Sequence, residues 1–152
     1  MKNDRITWFG RYEGYLRMIA KGVRDDDAWS IECAAKLFDL MLPTGAVVVP
    51  MPSHLGNSDQ MYDVAVKLHE RRDDIVVRDI LKCKPHESNY SQKKHSTPMP
   101  VEMYVSDPFN RDIPADGVFV IDNVICTGVT ASAALEVLPN ATFVALAVSN
   151  WR

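Results

Sequence analysis

No two cysteines of this chain are spaced for a shared bond or metal. Cys33, Cys83 and Cys126 are odd in number and widely separated, and no CxxC occurs. That argues against a disulfide framework or a zinc module and for reduced thiols, as in a cytoplasm. No apolar run approaches the roughly 18 residues of a membrane span, and the opening MKNDRITWFG has no apolar signal core. An excess of one charge is missing too. The formal net charge is −3, so the chain as a whole carries no electrostatic bias toward nucleic acid. No internal repeat, low-complexity tract or domain boundary interrupts the 152 residues. What is present is ordinary globular usage, 47% hydrophobic and 24% charged, sufficient for one full core. The expectation is a single cytoplasmic domain, residues 1–152, with neither membrane nor nucleic acid as partner.

Hydrophobic patterning then predicts an α/β alternation. Ile6 to Phe9 reads as a short strand and Tyr15 to Lys21 as an apolar-striped helix. Asp25 to Asp27 place acidic charge where a second helix begins, near its positive dipole end. That helix runs to about Leu42, with Trp29, Ala34, Leu37, Phe38 and Met41 broadly on one face, and Pro43 and Gly45 end it. Ala46 to Val49 is a buried strand stopped by Pro50-Met51-Pro52. Asp59 to Arg72 reads as a helix with Met61, Ala65 and Leu68 inward. Ile75 to Val77, Val101 to Val105, Val118 to Ile121 and Phe143 to Val148 are the remaining strands expected. Repeated βα units imply a parallel sheet.

The segment Val118 to Thr130, VFVIDNVICTGVT, is the most informative. Four apolar residues, Val118 to Ile121, suit a strand buried on both faces. Asp122 follows where that strand is expected to emerge, and Ala131 to Leu138 reads as a helix. Ligands bind at the carboxyl ends of strands in open parallel sheets. A helix N-terminus offers unpaired N–H groups and a positive dipole end. Gly128 allows close backbone approach, and the Thr127 and Thr130 hydroxyls add donors. The segment therefore proposes a carboxylate for sugar hydroxyls or a metal, beside a cradle for phosphate.

Residues 83–100, CKPHESNYSQKKHSTPMP, break the regularity. The stretch is polar, has three prolines and no period, and with Lys82 it concentrates Lys84, Lys93, Lys94, His86 and His95 in an acidic protein. A loop of this length in a compact domain is either functional or a solvated excursion. The functional reading is a lid over anionic phosphates.

VFVIDNVICTGVT resembles the 5-phosphoribosyl-1-diphosphate (PRPP) loop of type I phosphoribosyltransferases: an apolar strand, two acidic residues, a few apolar residues, then Thr-Gly-x-Thr. Asn123 departs from it, standing where that family usually has a second acidic residue; it keeps an acceptor but loses a charge. The order of segments along almost the whole chain is similar to the competence-associated ComF-type branch, without the cysteine-rich zinc module that often precedes it. Arg11-Tyr-Glu-Gly14 opens the resemblance, followed by Val49-Pro-Met-Pro52, Asp59-Gln60, Gln92-Lys93-Lys94, the PRPP loop and Ala145 to Val148.

The resemblance implies a phosphoribosyltransferase-like (Rossmann-like) parallel sheet with flanking helices, a flexible lid loop at about 83–100 and a PRPP loop at about 118–131. It implies that Asp122, with Asn123, holds the ribose hydroxyls of PRPP. Cys126, Thr127, Gly128, Val129 and Thr130 would hold the 5-phosphate, and Pro50, Met51, Pro52, Ser53 and His54 would face the pyrophosphate. Magnesium would be held mainly by substrate and water, with Lys93 or Lys94 neutralising the departing pyrophosphate. The implied reaction is transfer of the phosphoribosyl group to a nitrogenous acceptor with release of pyrophosphate. The alternative is a non-catalytic PRPP- or nucleotide-binding regulatory protein of the same fold. Many relatives are dimers, and Trp151 as an exposed aromatic would allow a homodimer here.

Other residues take plainer readings. Cys126 near a helix N-terminus is a small filler of its loop in preference to a nucleophile. His69 is surface, His54 lacks a partner at ligand spacing, and Trp8, Trp29 and Trp151 are core or interface candidates.

Overall fold

Runs of β-branched residues bounded by proline, glycine and aspartate set the strands of this chain, and small-residue or striped segments set its helices. In a computed structural model, residues 4–53, 56, 59–85, 101–106 and 113–149 are described. Five strands form a parallel sheet: β1 (Ile6–Arg11), β2 (Val47–Pro50), β3 (Val76–Val77), β6 (Val118–Ile125) and β7 (Thr142–Val148). Their order is β1-β7-β6-β2-β3, every neighbouring pair parallel. The described helices are α1 (Gly14–Arg24), α2 (Ala28–Met41), α3 (Asp59–Arg71) and α4 (Val129–Val137). The chain is thus an α/β protein with a parallel sheet, compatible with a Rossmann-like fold.

Burial on both faces explains the strand composition. Phe38, Val64, Leu68 and Ile75 pack with Ile121 and Leu146 on the side of α1, α2 and α3. Phe143, Val120 and Ala145 pack with Ala131, Ala134 and Leu135 of α4 on the other. The small, uncharged inward surface of α4 lets it lie close to the strands, which fixes where its N-terminus points.

Two expectations about strands need correction. Val101 to Val105 is not part of the parallel sheet. Its ordered part, β5 (Met103–Val105), pairs antiparallel with β4 (Leu81–Cys83) in a separate two-stranded sheet. β4 had no sequence signal because Leu-Lys-Cys is too short to show a period. The small sheet packs through Leu81 and Met103 onto the α4 side of the core. The other correction concerns Val118 to Ile121, which continues as strand to Ile125. β2 stops pairing at Pro50 opposite Ile121, whereas β7 accompanies β6 on to Val148 opposite Ile125. One neighbour suffices to keep β6 extended.

Among the tryptophans, Trp29 lies on the outer face of α2, 57% exposed, and is not core. Ala34 and Phe38 are buried with Ile31 and Ala35, and Leu37 and Met41 pack at the edge of the same core, so the expected stripe holds apart from Trp29. The start of α2 follows the acidic signal. Asp27 is the N-cap, its carboxylate accepting from the backbone N–H and hydroxyl of Ser30, both at 2.9 Å. Ser30 is a buried polar side chain, 3% exposed, so Asp27→Ala removes a cap and strands a hydroxyl. The expected cost is about 2 kcal/mol in urea unfolding, at the upper end for caps; a loss below about 0.5 kcal/mol would show that the cap matters little.

Candidate ligand site at the carboxyl edge of the sheet

The step between β2 and β6 builds the site. Beyond Ile121 no strand among the described residues lies on the side of β6 that faced β2. The Met51 N–H donates to the Ile121 carbonyl at 2.9 Å, which holds the residues after β2 against the point where Asp122 begins. Met51 and Pro52 are buried and Ser53 half-buried. The Ser53 carbonyl accepts from the Gly56 N–H at 2.9 Å and from the Cys83 thiol at 3.2 Å. His54 lies outside the described residues, as do Lys93 and Lys94.

Asp122 is half-buried. Opposite Ala145 in register, it shares the α4 side of the sheet with Val118 and Val120. One oxygen accepts from the Asn123 N–H at 2.7 Å. Burial pushes the carboxyl up to about 7, only partly opposed by that hydrogen bond, and among the described residues no cation pulls it back down. Such a carboxyl, inside β6 just past the point where β2 stops pairing, is suited to receive hydroxyl donors or a cation.

Asn123 faces the other way. Its amide donates to the Ala20 carbonyl of α1 at 2.7 Å, and its Oδ1 is buried without a partner among the described residues. The structure therefore does not bring Asn123 together with Asp122 around one ligand. Strand alternation separates them, and the amide ties α1 to β6. Replacing it with the acid common in the resembling family would aim a buried carboxylate at a carbonyl. Asn123→Asp is expected to destabilise by about 3 kcal/mol in chemical denaturation, with no gain in affinity for a phosphate-bearing ligand. A variant as stable as the parent would remove the structural role given to this side chain.

Cys126 to Gly128 form the bend after β6, and α4 starts at Val129, so Val129 and Thr130 belong to its first turn and not to the loop. Gly128 is the N-cap with φ of 81°, the left-handed region, and has no side chain with which to cap. The Thr127 hydroxyl oxygen instead accepts from the Val129 N–H at 3.3 Å, leaving its own proton to donate outward; Thr127 is exposed. The remaining N–H groups of the first turn have no helical acceptors. Cys126 is half-buried in the bend, consistent with a filler. His69 is exposed and its Nδ1 lies 2.7 Å from the Ile75 carbonyl, a local contact at the end of α3.

Among the described residues no group of three or more His, Cys, Asp or Glu is placed to hold a metal, and no helix is long and apolar enough to cross a membrane. Compared with known proteins, the chain matches no protein-family model and no curated sequence. The reading of this edge rests on its own geometry and on the resemblance carried by VFVIDNVICTGVT.

Proposed function

We propose that the protein is a phosphoribosyltransferase of type I, binding PRPP with magnesium at this edge and transferring the phosphoribosyl group to a nitrogenous acceptor. The observation that carries the reading is the pairing of Asp122 with the Gly128 bend. A carboxyl that burial has lifted to about 7 stands six residues before a left-handed glycine that opens the N-terminus of α4. One end of the pair suits sugar hydroxyls and the other a phosphate monoester.

In this reading the 5-phosphate sits over the first turn of α4, receiving its free N–H groups and the hydroxyls of Thr127 and Thr130. Asp122 accepts from the ribose hydroxyls and orients the ring. Pro50 to Ser53 face the pyrophosphate, with His54 continuing the same loop. The bond from the anomeric carbon to the pyrophosphate oxygen breaks, its electrons leaving with pyrophosphate. The acceptor nitrogen forms the new bond and afterwards loses a proton. Asp122 also lies where positive charge develops on the ribose, so an ionised carboxylate there stabilises the transition state more than the ground state. The donor set is a single carboxylate, which fits magnesium carried largely by substrate oxygens and water. So bound, the ion would neutralise charge on the leaving pyrophosphate. The resemblance gives Lys93 and Lys94 a share in that neutralisation and makes residues 83–100 a lid.

The second reading, a PRPP- or nucleotide-binding regulator without turnover, is favoured by one observation: Asn123 is engaged with Ala20, so Asp122 is the only carboxylate of the motif. Calorimetric titration with PRPP and magnesium tests what the two readings share. Affinity in the micromolar range, about −8 kcal/mol, is expected. Absence of heat and of competition by PRPP analogues would remove both. Pyrophosphate release in the presence of a panel of bases and amines then separates enzyme from regulator.

A further inference from the structure

Cys83 is the last residue of β4, 3% exposed, and its position in a three-residue strand of a side sheet gives it no role in the central core. Its thiol leads to the loop after β2. The thiol donates to the Ser53 carbonyl at 3.2 Å, and the Gly56 N–H donates to that same carbonyl at 2.9 Å. Gly56 has φ of +102°, and a Cβ on it would stand 2.8 Å from the Cys83 carbonyl oxygen. The Gly56 and Cys83 backbones therefore lie close together, and the Cys83 thiol links its own strand to the Ser53 carbonyl. Burial keeps the Cys83 thiol protonated by raising its pKa, against a smaller opposite pull from the Gly56 N–H, so the group remains a donor.

The other end of Cys83 is equally anchored. It pairs with Met103 of β5, the next residue's N–H donates to the Glu102 carbonyl at 3.0 Å, and Lys84 and Glu102 form an ion pair at 2.7 Å. The loop after β2 is thus fastened to the side sheet and not only to β6.

We infer that Cys83 is a positioning residue that clamps Ser53 and Gly56 to the side sheet and so holds Pro50 to Ser53, the described part of the loop assigned to the pyrophosphate of PRPP. This deepens the function proposed above and rests on it. Hydroxyl can replace thiol as donor to the Ser53 carbonyl, whereas a methyl group cannot. Cys83→Ser should therefore keep the clamp and Cys83→Ala should release it.

The test compares hydrogen exchange of the unliganded protein with titration by PRPP and magnesium. In Cys83→Ala, amides of residues 51–56 should exchange about tenfold faster while β6 and β7 stay unchanged, and PRPP affinity should fall about tenfold. Cys83→Ser should stay within about twofold in both measurements. Gly56→Ala, which breaks the contact from the other side, should reproduce the faster exchange if Cys83→Ala folds poorly. Unchanged exchange at 51–56 in Cys83→Ala and Gly56→Ala overturns the clamp, as does equal acceleration throughout the strands. If the parent protein binds no PRPP, the functional reading fails while the exchange data still decide the clamp.

Discussion

Asp122→Asn is expected to lose about 100-fold in affinity for PRPP with magnesium, the value of hydrogen bonds to a charged acceptor, and yet to gain stability at pH 8. The two effects have one origin. Burial holds the Asp122 carboxyl at about 7, above its ordinary value of 3.8. The folded protein therefore binds this proton more tightly than the unfolded chain. The stability that this contributes is complete below about pH 4 and is lost as pH rises through about 7. Above that, the ionised side chain sits in a poorly solvated place in the absence of ligand. The shift from 3.8 to about 7 corresponds to about 4 kcal/mol at most. Because Asp122 is only half-buried, a gain of about 2 kcal/mol at pH 8 is the expected result for the amide. Near pH 4 the two proteins should unfold at nearly the same denaturant concentration.

Comparing the variant with its parent at each pH cancels other titrations. Asp74 is one of these: its hydrogen bonds from Arg72 and from the Gly45 N–H hold it down at about 2, so its contribution runs the opposite way and fades only as pH falls toward that value. A variant that binds PRPP like the parent would sink the assignment of Asp122. One that is no more stable at pH 8 than at pH 4, relative to the parent, would show that the carboxyl is well solvated.

Gly128 is the second position where a large change is expected. With φ of 81°, an alanine there costs about 1 to 2 kcal/mol of backbone strain, and its methyl group intrudes where a phosphate must approach the first turn of α4. Gly128→Ala should lower thermal stability and weaken PRPP binding by at least about tenfold. Gly128→Asn separates the causes, since asparagine tolerates this conformation better. Stability should largely return in Gly128→Asn while binding does not. If binding returns with stability, the glycine serves the turn alone and the phosphate cradle is misplaced.

Most of the fold was legible because its signals are local. Val47 to Pro50, Asp59 to Arg71 and Thr142 to Val148 each carry their own period and their own stop, and the Asp27 cap announces α2 one residue ahead. What was illegible depends on partners. β6 outruns its apolar stretch because β7 runs beside it, and no pattern within Asp122 to Ile125 reveals a neighbour's length. β4 exists only because β5 pairs with it. In the site, the Gly128 bend followed from strand–loop–helix logic, whereas Asp122, expected just past the strand, lies inside β6. The opposite orientations of Asp122 and Asn123 did not follow, because the strand was expected to have ended before alternation could separate them. The Cys83 contact with Ser53 spans 30 residues, and no spacing rule connects them.

The strand order has a consequence for synthesis. β1 pairs with β7 and with no other strand among the described residues. On the ribosome, Ile6 to Arg11 emerge first but wait for Thr142 to Val148 before they can be hydrogen-bonded. Long-range pairing of this kind is slow to form, so β1 should be the last part of the sheet to settle, and it is the segment a holdase chaperone has most to protect until β7 is made.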